Sequence, residues 1–405
     1  MKNTKEKKDR PFFSVVIPTR NRPEYLYECI YSVLHQSFKE IECILSDNFN
    51  DERTYEAIQP FLDDPRFKYI RTTAELNMME HWEWASRQAS GKYVLILADR
   101  KVLYPNGLKK ARHTLLRYPD ITTCSMGVKL YEDTKKTLGW SVKTGKTRLF
   151  RTEELISNFL QEDIYGTSTL DVYFPKTLNS FYLNSYVAMV REQYGSYFNL
   201  PGVTTPDYSS FMINCALNES TLYIGENVIL KQGESVSNGR IFVIGDYTGH
   251  LSSLRNPDPY NNMPLHAPFT ANLLFSDFLQ IKKIIGGHLS TKEIDWENYL
   301  YICLREYYLF KKDSPLIDTT AKLLFIQEWE KAAAALLSAG KITQPALDGM
   351  TQRVLVSLAK QPHKRVLSTL HLQIRDYMIH HYGHLEIVNK IFPHRFDNAL
   401  QAAGF

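Results

Sequence analysis

Residues 12–17, FFSVVI, form an unbroken apolar and β-branched run stopped by Pro18, the pattern of a strand covered on both faces. The period then changes. From Pro23, which suits a first helical turn, Leu26, Cys29, Ile30, Val33 and Leu34 recur at helical spacing and predict one buried stripe. IECILSD predicts a second strand ending at Asp47. A helix around Tyr55 to Leu62, a short strand FKYIR, a helix around Met78 to Ala89 stopped near Gly91, and a strand KYVLIL ending at Ala98 follow.

Strands alternating with helices in this way predict a Rossmann-like α/β domain, a mostly parallel sheet with helices on both faces. Ligands of such sheets bind beyond the carboxyl ends of the strands. That rule selects Pro18 to Arg22, Asp47 to Asp51 and Asp99 to Lys101, all polar. From Ile121 to Gln232 the pattern is mixed, with strands expected at TTCSMGVKLY, SYVAMV and LYIGENVIL and a helix from about Pro206. RNPDPYNNMP, residues 255–264, is the expected boundary, and four helical stretches follow it. The expected organisation is residues 1–120 and 121–254 as two halves of one domain, then a helical domain over 255–405.

Composition narrows the class. The chain has 405 residues, 44% of them hydrophobic and 23% charged, enough to fold as two or three units. Its net charge of +4 is too small to demand nucleic acid and compatible with small anionic ligands. Cys29, Cys43, Cys124, Cys215 and Cys303 have no paired spacing and read as small hydrophobes in a reducing compartment. No signal peptide or bilayer-spanning run is expected, so the expected location is cytoplasmic. The basic start MKNTKEKKDRP is read as a solvated end or as a contact with an anionic membrane face.

SVVIPTRNRPEYLYECIYSVLHQSFKEIECILSDNFNDE and NMMEHWEWASRQASGKYVLILADRKVLYPNGL resemble the opening of the family 2 glycosyltransferases, over about the first 110 residues. The resemblance implies the type-A glycosyltransferase fold and inverting transfer from a nucleotide-diphosphate sugar, UDP favoured, to a surface-glycan or lipid-linked glycan acceptor. Asp47 can accept from a base N–H, and Thr19 and Arg20, after Pro18, can bond base and ribose; the family implies the same roles. At Ala98-Asp99-Arg100-Lys101, members carry an acidic signature that binds Mg or Mn, and only Asp99 of it is present. Arg100 and Lys101 equal the missing ion in formal charge and can hold phosphate oxygens. Three readings stand: a metal-independent or weakly metal-dependent transferase, with no cofactor required; Mg or Mn held through Asp99; and a degenerate, inactive site.

The acceptor hydroxyl needs a base. GVTTPDYSSFMINCAL places Asp207 in a first helical turn, where the family carries its base; Asp163 and Glu234 are the alternatives. Trp82 is expected in the core. HHYGH, His380 to His384, lacks metal-ligand spacing. QGESVSNGR reads as a closing loop or a plain surface loop. KRVLSTLHLQIRDYMI is expected to pack within the helical domain or to lie on a membrane. A homodimer through the helical domain, a non-catalytic sugar-nucleotide-binding scaffold and a nucleotidyltransferase also remain; the last lacks a Gly-rich phosphate loop.

Overall fold

A computed structural model of the chain describes residues 10–49, 52–132, 136–141, 145–161, 173–232, 259–267, 269–313, 319–359 and 398–405. Every residue of β1 (Phe13–Thr19) and β2 (Ile41–Asp47) is buried, as the unbroken apolar runs require. With β3 (Phe67–Arg71) and β4 (Tyr93–Ile96) they form the parallel half of the sheet. The connecting helices are α1 (Pro23–Leu34), α2 (Glu52–Ile58) and α3 (Met78–Ser86). Alternate residues face opposite sides of a strand, and the two cores follow that period. Val15, Ile17 and Leu45 pack with the α1 stripe of Leu26, Ile30 and Val33. Val16 and Ile44 face the other way, onto Met79 and Trp82 of α3, so Trp82 is a core residue.

Beyond β4 the sheet is mixed. Its order is β3-β2-β1-β4-β9-β6-β10-β5, with β5 (Lys101–Leu103), β6 (Thr123–Glu132), β9 (Ser180–Leu183) and β10 (Ser220–Lys231). β7 (Thr137–Ser141) pairs with β6, and β8 (Arg148–Arg151) with β10. α4 (Gly107–Arg117) lies on the α1 side. α5 (Thr152–Gln161) lies on the α3 side.

One strand expectation is corrected. SYVAMV lies inside α6 (Asn184–Tyr194), and the strand is the preceding SFYL of β9. Tyr186, Val187 and Val190 are buried on one helical face, and Gly195 ends the helix in the left-handed conformation with φ 86°. The spacing of Tyr186, Val187 and Val190 is helical, and the β-branching of the two valines does not override it.

α7 (Pro206–Leu217) packs against α8 (Thr270–Ile284), and α9 (Trp296–Asp313), α10 (Thr319–Ser338), α11 (Gln344–Asp348) and α12 (Met350–Ala359) follow. Phe211, Phe275, Phe278 and Tyr299 share the core that covers the Val16 face of the sheet. Near the chain end, Ala399, Ala402 and Ala403 of α13 (Ala399–Ala403) pack on Val102 and Leu230 and cover the edge strand β5. Among the described residues no helix is long and apolar enough to cross a membrane. All five cysteines are free and buried.

Candidate active site

The parallel strands deliver their polar ends to one side of the sheet. Asp47 closes β2 in register with Thr19 of β1 and Arg71 of β3. It is buried and accepts the Tyr69 hydroxyl at 2.8 Å. Burial and that bond hold the Tyr69 phenol above its ordinary range. Pro18 fits a central strand because the pairing of β1 with β4 stops at Val16, leaving no ladder bond on that side for the N–H it lacks. Arg20 reaches outward to pair with Glu75 at 2.7 Å. Beneath this rim Ser46 and His81 Nε2 are 2.8 Å apart. Burial, with Arg20 acting in the same direction, pushes the His81 imidazole down to about 4 and keeps it neutral.

At the tip of β4 the chain turns sharply, with the Lys101 N–H bonded to the Ala98 carbonyl, and re-enters the sheet as β5 against β10. Asp99 is buried in that turn. The Thr19 hydroxyl donates to its Oδ2 at 3.0 Å, and the Arg22 guanidinium stands 3.6 Å from its Oδ1. Burial raises the Asp99 carboxyl; Arg22, Thr19 and Arg100 draw it back down. Arg100 and Lys101 are buried rather than splayed into solvent. Arg100 donates to the Gln232 carbonyl at 2.9 Å, and Lys101 Nζ to the Leu178 carbonyl at 2.6 Å. Burial pulls the Lys101 ammonium down to about 7 despite the opposing pull of Asp207, and Lys231, Arg100 and Lys176 push it the same way as burial.

Asp207 is the second residue of α7, following Pro206. Its Oδ1 accepts the Leu178 N–H at 2.9 Å. The two sides of Leu178 are thus gripped by Asp207 and Lys101, which joins the α7 acid to the β4 turn. Lys176 lies over the Tyr208 ring at 4.9 Å, adding a further cation beside Asp207.

A divalent ion is a poor match for this donor set. Asp99 is already shared by a hydroxyl and a guanidinium, with Arg100 beside it. Among the described residues no three His, Cys, Asp or Glu are grouped to hold a metal.

The structure brings together Thr19, Asp99 and Arg100 at one point, Lys101 and Asp207 at a second, and Asp47 at a third on the same side of the sheet. Tyr69 was missed from sequence; Arg22 closes the selected stretch Pro18 to Arg22 but had no role assigned to it, and the second Arg of PTRNRP, at the N-terminus of α1, was the available signal. Tyr69 carried none, because its position opposite Leu45 in β2 depends on strand register. Asp163, Glu234, residues 233–240 of the QGESVSNGR stretch, residues 255–258, the helix expected over 364–379, His380 to His384 and the basic residues before Arg10 lie outside the described residues.

Residues 14–185 match the family model described as Glycosyl transferase family 2. Among curated proteins, the GalNAc(5)-diNAcBac-PP-undecaprenol beta-1,3-glucosyltransferase of Campylobacter jejuni is 33% identical over 100 residues, 24% of this chain and 32% of that protein. The putative colanic acid biosynthesis glycosyl transferase WcaA of Escherichia coli is 30% identical over 104 residues, 25% of this chain and 37% of that protein. The chain thus spans about a third of the length of these relatives. Among solved structures, S. aureus TarS in complex with UDP aligns at a TM-score of 0.43 with 14% identity, over 81% of this chain and 91% of the other. The mannosyltransferase PcManGT of Pyrobaculum calidifontis, in complex with GDP-Man and Mn2+, gives 0.40 and 14% over 87% of each chain. Over residues 14–185, which carry Pro18, Thr19, Arg20, Asp47, Asp99, Arg100 and Lys101 but not Asp207, the chain is therefore similar to the glycosyl transferase family 2 domain.

Proposed function

We propose that the protein is an inverting glycosyltransferase that moves a sugar from a nucleotide-diphosphate donor, UDP favoured, to a glycan or lipid-linked glycan acceptor of a surface polysaccharide, without requiring a divalent ion. The observation that carries it is the buried basic cluster at the β4 turn. Arg22 and Arg100 stand by the Asp99 carboxylate, and Lys101, next along the same turn, is buried and feels Asp207, at the place where strand ends present a ligand. In this reading Asp47 accepts from the base N–H, Thr19 and Arg20 with Pro18 border the base and ribose, and the cations hold the diphosphate. Preorganised charge of this kind matters most at the leaving group, where charge develops as the anomeric C–O bond breaks. The bond's electron pair passes to a phosphate oxygen. The acceptor oxygen forms the new bond from the opposite side, and its proton passes to Asp207.

The relatives support the acceptor class, since one is named for an undecaprenol-linked substrate and another for colanic acid biosynthesis. Work at the inner face of the membrane, and a dimer through the helical region, belong to the same proposal. Its test is thermal stability with UDP-, GDP-, CMP- and dTDP-sugars, each with and without EDTA. A UDP-sugar at a hundredfold its Kd is expected to add about 2.7 kcal/mol, with or without EDTA. Stabilisation by no nucleotide sugar, or only with added Mn2+ or Mg2+, overturns it. Nucleotide binding with no turnover of any donor would make the protein a scaffold instead.

A further inference from the structure

The segment leading into α7 is held by a residue from the helical part of the chain. Asp277, in the middle of α8, is fully buried. Its Oδ1 accepts the Thr204 N–H at 2.8 Å and the Thr204 hydroxyl at 3.0 Å. Its Oδ2 accepts the Thr205 N–H at 2.7 Å and the Thr205 hydroxyl. All four partners donate, so the group that fits is the carboxylate, a pure acceptor. Burial raises it to about 6 against the four donors, which leaves it ionised at neutral pH.

Thr205 occupies the N-cap position of α7, yet its side chain makes no cap bond to the helix. Its hydroxyl serves Asp277 instead, giving up the usual work of a threonine there. One turn further along α8, Gln280 donates to the Pro201 carbonyl at 2.7 Å, so the same helix face also grips the loop upstream. On the opposite side the Thr177 hydroxyl donates to the Pro206 carbonyl at 2.7 Å, and the Leu178 N–H to Asp207. The first turn of α7 is thereby clamped from two sides, two residues from Asp277's partner Thr205 to Asp207.

We infer that Asp277 is a positioning residue for the transfer step: through Thr204 and Thr205 it sets where Asp207 stands against the acceptor hydroxyl, making the helical region part of the active site. This rests on Asp207 being the base. Reaction geometry is sensitive to small displacements, and misplacement by about 1 Å reduces rate about a hundredfold. The donor contacts proposed at the β1 and β2 ends lie apart from this clamp; Lys101, through the Leu178 carbonyl, adjoins it.

The test compares D277N, T205V, T205S, D207N and the D207N/D277N double variant for kcat, donor KM, donor affinity by calorimetry and melting temperature. D277N and T205V are expected to lower kcat by about tenfold to a hundredfold with donor KM and affinity within about twofold, and T205S to restore kcat. The double variant is expected to be no slower than D207N alone, since both residues act on one step. D277N folded and within about twofold of wild-type kcat, or a double variant slowed by the full D277N factor, overturns the inference. Should D277N fail to fold, T205V turning over like T205S overturns it. A D207N variant that binds donor and turns over normally refutes the base assignment, and this inference with it. An inactive D207N beside an active D277N refutes this inference alone.

Discussion

Lys101→Met is expected to stabilise the protein and cripple it. The ammonium is buried and held at about 7 against an ordinary 10.5, which corresponds to a penalty on its charged form of about 5 kcal/mol. At pH 7 about 4 kcal/mol of that applies, because the folded chain is already half deprotonated. Met fills similar volume without charge. Its introduction leaves the Leu178 carbonyl without Nζ, which costs about 1 to 3 kcal/mol. The net expectation at pH 7 is a gain of about 1 to 3 kcal/mol, read from urea melts. The sign with pH is fixed by linkage. The folded pKa lies below the unfolded one, so between about 7 and 10.5 the unfolded chain holds the extra proton and wild-type stability climbs as pH rises. The advantage of K101M is therefore largest below pH 7 and vanishes towards pH 10.5. In turnover, loss of one preorganised cation from the leaving group is expected to lower kcat by about a hundredfold. A variant less stable than wild type at pH 7, or one with unchanged kcat, refutes the assignment of Lys101 as a cation buried for catalysis.

Two further substitutions probe the donor side. Asp47→Asn removes a buried acceptor at the β2 end and is expected to weaken donor binding by about 1.5 to 3 kcal/mol, measured by calorimetry, with kcat at saturating donor little changed; an unaltered Kd places the base elsewhere. His81 is neutral down to about 4 when folded and takes its proton near 6.5 when unfolded, so stability falls by about 3 kcal/mol as pH drops through that window. His81→Gln flattens this loss in denaturant midpoints measured from pH 7 to pH 4; an equally steep loss in the variant assigns it to other groups.

The first hundred residues were legible because their signals are local. An apolar run that ends in Asp or Pro marks a parallel strand and its polar end, and the α1 stripe has one reading. Pro206 ahead of Asp207 marked a helix start in the same way. Non-local pairing was not legible. LILADRKVL reads as one strand running into charge, yet β4 stops at Ile96 and Lys101 begins β5, whose partner β10 lies far along the chain. Strand β5 has three residues, too few for a period to show. The destinations of the Arg100 and Lys101 side chains, at the carbonyls of Gln232 and Leu178, depend on that pairing and on the turn before β9. The partner of Arg22 and the place of Asp277 were not legible for a related reason. A cation in a helix start and an acid in an amphipathic helix look like ordinary surface residues until the fold buries their partners.

The central claim is that fixed side-chain cations at the β4 turn do what a divalent ion does elsewhere for a departing diphosphate. The most direct measurement is turnover of the identified donor by protein stripped exhaustively with chelator, against the same protein with Mn2+ or Mg2+ restored. Arg22 and Arg100 beside Asp99, with Lys101 buried next to them in the turn, predict the same rate in both. A stripped protein that is inactive and recovers only with the metal contradicts the claim.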